Sequence, residues 1–318
     1  MLGTPNAQPR WRPLFPTILA ACVLLAACDN DTTEPEPPAE TIASLVEAEP
    51  QFSMVSGLLE SAGLVEILDD VDETFTVFAP TNPAFAPFNL ERLGADPQMA
   101  EDILLYHVVG GAAVAAEDLS DGQTVETLSG DRVLVRIDAD GDVLLDGSRV
   151  TMADLMADNG IVHAIDRVMV GNQDLATVAS LIQATDGLYQ VVVESGLGEA
   201  FAQAEAWTVF APNNQAFEDA EEVLADLEEE EVAAILQYHV ISGQVVNSTD
   251  LLALLADGEG EISVPTAQGA EIVITQVDET TISFNDGQAT LDLENVDFFA
   301  SNGIIHLIDG ILLPPDSE

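Results

Sequence analysis

Thr76-Val77-Phe78-Ala79-Pro80-Thr81-Asn82-Pro83-Ala84-Phe85 returns later in the chain as Thr208-Val209-Phe210-Ala211-Pro212-Asn213-Asn214-Gln215-Ala216-Phe217. Phe78 and Phe210 lie 132 residues apart, and Tyr106-His107 returns as Tyr238-His239 at the same offset. An offset kept by two landmarks marks a duplicated domain. A third landmark, Asn159-Gly160-Ile161-Val162-His163-Ala164-Ile165-Asp166, returns as Asn302-Gly303-Ile304-Ile305-His306-Leu307-Ile308-Asp309, now 143 residues on. The second copy has thus gained 11 residues after its Tyr-His pair. We expect them between Leu251 and Thr290, in loops, where insertion is tolerated.

Local patterns fill in the rest of the unit. Phe75, Val77 and Ala79 alternate with Thr76 and Phe78, which predicts a strand ended by Pro80. Thr81-Asn82-Pro83 then offers side-chain caps and a proline for a first helical turn. Thr41 to Leu68 has the apolar spacing of short amphipathic helices broken at Pro50 and Gly63, and Leu175 to Leu197 repeats it. Met99, Ile103 and Tyr106 keep helical spacing into Tyr106-His107-Val108-Val109, which Gly110-Gly111 ends. Val133, Val135 and Ile137, then Val143 and Leu145, flank Asp138 to Asp142 and predict a hairpin. Ile272 and Ile274, with Ile282 and Phe284, bracket its counterpart. Asn159-Gly160 reads as a tight turn before a strand apolar on both faces. Glu228 to Glu231 interrupts a helical pattern and reads as a solvated helix surface or a helix start.

The three motifs, in this order and in tandem, resemble the fasciclin family of extracellular domains. Thr-Val-Phe-Ala-Pro-Thr/Asn-Asn looks like the first signature of that family, Tyr-His-Val its middle motif, and Asn-Gly-Ile-Val/Ile-His-x-Ile-Asp its second signature. The resemblance implies two tandem α+β domains, residues 41–171 and 173–314, each a twisted β-sandwich-like core wedged against short helices. So short a connection, Gly171-Asn172-Gln173, implies a semi-rigid pair. The family also implies adhesion or matrix association through surface or matrix proteins or glycans. Its Tyr-His motif has been linked to receptor binding, which implies an interaction role for Tyr106, His107, Tyr238 and His239. Val108-Val109 and Val240-Ile241 make both segments apolar and point to burial instead.

Arg10 and Arg12 precede an apolar run from Leu14 to Ala27, too short to span a bilayer and placed as an export signal would be. Leu25-Ala26-Ala27-Cys28 resembles a bacterial lipoprotein box, with Cys28 lipidated after cleavage of residues 1–27. Cys22 follows a box of the same form and is the rival site. Cutting there would leave Val23 to Ala27 as an apolar run on the mature chain, which favours Cys28. Residues 28–40, acidic and rich in proline, form a solvated tether. With Cys28 acylated no disulfide can form, and folding rests on the cores. The expected location is the cell envelope, periplasmic or at the cell surface, held by lipid alone.

The formal charge is −50, with 57 acidic residues, no lysine and no basic residue after Arg167. Such a balance excludes nucleic acid and anionic lipid as direct partners, because phosphate binding depends on Lys and Arg. Self-repulsion of this size destabilises a compact state at low salt. Adaptation of the whole surface to salt is the first reading, and acidic sites for divalent cations the second. Asp138 to Asp142 invites comparison with a calcium loop, but glycine precedes the third aspartate and Arg149 stands where the loop needs its twelfth-position glutamate.

All four histidines sit at matching motif positions: His107 with His239, and His163 with His306. Each lies in an apolar segment with no carboxylate at metal-ligand spacing apart from Asp166 and Asp309. Three residues along a strand, those point to the opposite face. Core histidines bonded to backbone are the expectation. No Gly-x-Ser-x-Gly elbow, Walker loop, dinucleotide fingerprint or His-Glu-x-x-His motif occurs, and Ser195-Gly196 has no assignable base. No enzymatic activity, cofactor or metal is expected. The alternative reading is an envelope protein that binds a small ligand or divalent cation through acidic loops.

Overall fold

The computed structural model describes residues 40–138, 141–203, 205–224, 227–293 and 296–315. Both candidate lipidation sites, Cys22 and Cys28, and the tether up to residue 39 lie outside these residues.

The first repeat opens with helices α1 (Ile42–Ala48), α2 (Ser53–Ala62) and α3 (Val65–Leu68), broken at Pro50 and Gly63. Gly63 closes α2 in the left-handed conformation, φ 72°, which glycine adopts without steric cost. Strand β1 (Phe75–Pro80) follows, then α4 (Leu90–Ala95), α5 (Pro97–Tyr106), β2 (Val108–Gly110) and β3 (Thr124–Glu126). The predicted hairpin is β4 (Arg132–Ile137) with β5 (Val143–Leu145), pairing Val135 with Leu145 and Ile137 with Val143. A ten-residue strand β6 (Ser148–Ala157) and β7 (Gly160–Ile165) complete a seven-stranded sheet of order β2-β1-β7-β6-β5-β4-β3.

The two signature strands lie side by side at the centre. β1 and β7 pair in parallel, Phe75 against Gly160 through Pro80 against Ile165. Parallel strands are buried on both faces, and all six residues of each are buried here. Val77, Ala79, Val162 and Ala164 pack against the helices, while Phe78 and Ile165 face Val133, Val135 and Leu145 of the hairpin. The sheet thus folds over itself, giving the sandwich-like core.

The second repeat follows the same plan: α6 (Leu175–Leu181), α7 (Asp186–Glu194), α8 (Gly198–Ala202), β8 (Trp207–Pro212), α9 (Asn214–Leu224), α10 (Glu229–Tyr238) and β9 (Val240–Ile241). Glu228 to Glu231 proves to be a helix start: Glu228 and Glu231 form a capping box on α10. Helix α11 (Ser248–Asp257) comes next, then β10 (Glu261–Pro265), β11 (Glu271–Gln276), β12 (Thr281–Phe284), β13 (Ala289–Asp292), β14 (Phe298–Ala300) and β15 (Gly303–Ile308). β15 pairs in parallel with β8 as β7 does with β1.

The insertion departs from expectation. Val114 and Val246 make the same backbone bond, to Thr76 and Thr208, at the 132-residue offset. By the facing strands, Leu134 and Val273 make the same bond, to Asp146 and Asn285, at an offset of 139. Seven of the extra residues therefore build helix α11 where the first domain has a single 3-10 turn, Ala116–Asp118. Two more fall between Thr290 and Asp297, beyond the expected limit. There the counterpart of β6 is divided into β13 and β14.

The repeats meet through an ordered junction. Phe88 and Ile182 form an antiparallel bridge, and Asn89 N–H donates to the Leu181 carbonyl at 2.7 Å. Arg92 donates to the Ser180 carbonyl at 2.7 Å, pairs with Asp186 and lies 5.5 Å from the Tyr189 ring centre. Arg167 donates to the Val296 carbonyl. One apolar cluster runs from Ile42 through Phe88 and Leu175 to Ile305, so the two helical layers share a core. Among the described residues no helix is long and apolar enough to cross a membrane.

Candidate functional site

The first signature is a strand that leads into a clamp. Asn82 does not cap its own turn: its Oδ1 accepts the Met54 N–H at 3.0 Å and its Nδ2 donates to the Pro50 carbonyl at 2.9 Å, fixing the start of α2. Asn214 does the same across Gly187 and Gln183. Thr81 Oγ1 faces the Ile165 carbonyl, so the predicted cap is absent in the first copy. Asn213 supplies it in the second, accepting the Ala216 N–H at 2.9 Å.

Asn159, expected only to turn the chain, is a second clamp. Its Oδ1 accepts the Ile42 N–H at 2.8 Å and its Nδ2 donates to the Leu68 carbonyl at 2.8 Å, joining the two ends of the helical layer. Asn302 repeats this with Leu175 and Phe201. Gly160 is required beside it: its φ is 151°, and a Cβ there would stand 1.9 Å from the Phe75 carbonyl oxygen.

The four Tyr-His side chains are between 1 and 3 % exposed. His107 ends α5, its Nδ1 2.7 Å from the Ile103 carbonyl, and its Nε2 takes the Met169 N–H at 3.0 Å. Since a backbone N–H must donate to Nε2, the proton sits on Nδ1 and caps the helix carbonyl. His239 makes the same pair with Ile235 and Leu312, at 2.8 and 2.9 Å. Burial holds both imidazoles down to about 4, against a weaker raising effect of the helix carbonyl. Tyr106 donates to Asp146 at 2.5 Å, and burial followed by the Asp146 charge pushes its phenol up. Tyr238 instead donates to the Glu271 carbonyl at 2.8 Å and accepts from Asn285 at 3.0 Å.

His163 and His306 use the opposite tautomer. Nδ1 of His163 accepts the Asp154 N–H at 3.2 Å, so Nε2–H donates to the Val114 carbonyl at 2.9 Å. His306 repeats the arrangement with Asp297 and Val246, at 3.3 and 2.8 Å. Each ring stacks on the signature phenylalanine, Phe78 or Phe210. Asp166 and Asp309 turn away and accept the N–H groups of Arg149 and Thr290. The nearby carboxylates are Asp154 and Asp297, 4.0 and 3.6 Å from Nδ1, which sequence reasoning missed. Both stand nine residues before their histidine, in left-handed backbone, φ 59° and 63°. Register shifts in β6 deliver Asp154 there. The shared spacing was a usable signal.

Among the described residues no group of three or more His, Cys, Asp or Glu side chains is placed to hold a metal ion. In the acidic turn compared with a calcium loop, the Arg149 guanidinium pairs with both Asp138 and Asp142. Ser195 Oγ donates to the Val192 carbonyl at 3.1 Å, within its own helix turn.

The repeats, the parallel signature strands and the matched histidine pairs define one domain built twice. The fasciclin domain model matches residues 50–171 and 183–314. The chain belongs to the fasciclin family. This fasciclin chain is 27 % identical to human periostin over 208 residues, 64 % of this chain and 24 % of periostin. It thus spans about a quarter of that relative's length. It is 25 % identical over 296 residues to the fasciclin-like arabinogalactan protein elcF of Phaeosphaeria nodorum, covering 86 % of this chain and 89 % of the relative. The FAS1 domain pair from the insect cell adhesion molecule Fasciclin I aligns over 84 % of this chain and 98 % of that one, at 19 % identity and a TM-score of 0.41.

Proposed function

We propose that this fasciclin protein is a cell-envelope lipoprotein that acts as an extracellular adhesion or interaction module through protein or glycan contacts. The observation that carries the reading is the tandem pair of fasciclin domains, a module of adhesion-related proteins and not of known enzymes. Partner contacts fall to the exposed surface of the pair, while Tyr106, His107, Tyr238 and His239 hold that surface in place. Cys28 supplies the lipid anchor, and residues 28–40 hold the domains off the membrane. The surplus of carboxylates is adaptation to salt. The pairing of Asp138 and Asp142 with Arg149 weighs against a cation loop as the main function.

Beads coated with the mature chain at molar salt test the reading. They should adhere to cells of the source culture, and adhesion should be blocked by free chain. Beads that adhere no better than beads carrying an unrelated acidic protein would contradict it. Cys28→Ser should move the chain from the membrane to the soluble fraction, and Cys22→Ser should not.

A further inference from the structure

The junction of the domains forms a cleft of about 550 Å³, within the range of small-molecule sites. Arg136 and Arg149 stand on the first-domain wall with Arg167 just past β7; Thr249, Asp250 and Phe299 stand on the second. Three of the five arginines among the described residues line this one cleft, in a chain with 57 acidic residues and no lysine. Their donors are used unequally. Arg149 pairs with Asp138 and Asp142, and Arg167 donates to the Val296 carbonyl. The exposed guanidinium of Arg136, whose backbone pairs with Leu144 in the β4–β5 ladder, makes no hydrogen bond or ion pair with any described residue.

The walls also decide the ligand's charge. Carboxylates outnumber arginines around the cleft, so an anion would meet net repulsion. Most of those carboxylates already accept from the fold: Asp146 from Tyr106 and Leu134, Asp166 from Arg149, and Asp297 from Ser248. Among the described residues Asp250 accepts only the Asn247 amide, at one oxygen, Oδ2, and a carboxylate has about four acceptor positions. Arg136 therefore offers donors and Asp250 offers acceptors, and the partly buried ring of Phe299 lines the same cleft. Hydroxyl groups on a flat apolar ring match all three.

We infer that the junction cleft binds a short neutral oligosaccharide. Its hydroxyls accept from Arg136 and donate to Asp250, and one ring face covers Phe299. The inference rests on the interaction-module reading and names the glycan part of it.

The test is saturation-transfer NMR and calorimetry of the full mature chain at molar salt, titrated with maltotriose, cellotriose, xylotriose and trigalacturonate. At least one neutral trisaccharide should bind. Arg136→Ala and Thr249→Trp, which narrows the cleft, should each weaken it about tenfold or more with an unchanged melting temperature. Arg132→Ala, exposed and outside the cleft, should leave binding intact. Binding of none of the neutral sugars, or equal binding by all variants, would overturn the inference. So would a preference for trigalacturonate that Arg136→Ala abolishes. Adhesion to cells by a chain that binds no sugar would overturn the cleft assignment alone and leave the interaction module standing.

Discussion

The backbone N–H of Met169 donates to Nε2 of His107 at 3.0 Å, across 62 residues of chain. Leu312 and His239 repeat the bond across 73 residues. In each domain one imidazole thus ties the segment after the last central strand to the end of the long helix. Replacing His107 by alanine leaves a buried N–H and a helix carbonyl unpaired and opens a cavity. The expected cost is about 2–4 kcal/mol, read from urea unfolding at molar salt. An unchanged midpoint would contradict the structural role and return the motif to the surface.

The same histidines set a pH dependence. Their folded values, about 4, lie below the ordinary 6.5. Between these limits the unfolded chain binds the proton and the native chain does not, so stability is full above pH 6.5 and falls as pH drops toward 4. Each histidine contributes roughly 3 kcal/mol over that window. Unfolding followed at molar salt, where carboxylate repulsion is screened, should show the decline. Constant stability from pH 6.5 to 4.5 would contradict it.

Asp146 and Asn285 occupy equivalent positions against Tyr106 and Tyr238. Burial raises the Asp146 carboxyl, with the Tyr106 hydrogen bond opposing. A raised carboxyl costs stability above its folded value. Asp146→Asn removes that cost and allows the bonding already present in the second domain. We expect its melting temperature at neutral pH to equal or exceed that of the wild type, while Tyr106→Phe should lose about 1 kcal/mol. A drop of several degrees in Asp146→Asn would show that the charge-assisted bond dominates.

Residues 173–318 hold 28 acidic side chains and no lysine or arginine. Screening contracts to about 3 Å at 1 M salt, so sodium chloride should raise the melting temperature steeply up to molar concentrations. Equal ionic strength of calcium chloride should act through screening alone. Extra stabilisation by millimolar calcium would instead favour a specific site.

Much of this fold was legible because its signals are local or repeated. The β4–β5 hairpin followed from Val133, Val135 and Leu145, and the duplicated domain from the 132-residue offset. The long-range clamps were not. Asn82 and Asn159 look like turn residues, and their partners at Met54 and Leu68 are 28 and 91 residues away. The bulge that brings Asp154 to His163 breaks the two-residue alternation on which strand reading depends. Helix α11 was hidden by an assumption about loops, although Leu251 and Leu255 keep helical spacing and are buried. The junction cleft needed the fold itself, since Arg136 and Phe299 come to line one cleft only when the domains dock.

The first measurement to make is proximity crosslinking by the full chain, expressed with its own leader, on intact cells at native salt, with mass spectrometry of what is captured. Reproducible capture of surface proteins or matrix glycans is expected, reduced when the second domain is deleted and retained in Asp146→Asn. Capture of nothing beyond neighbouring lipoproteins would contradict this expectation.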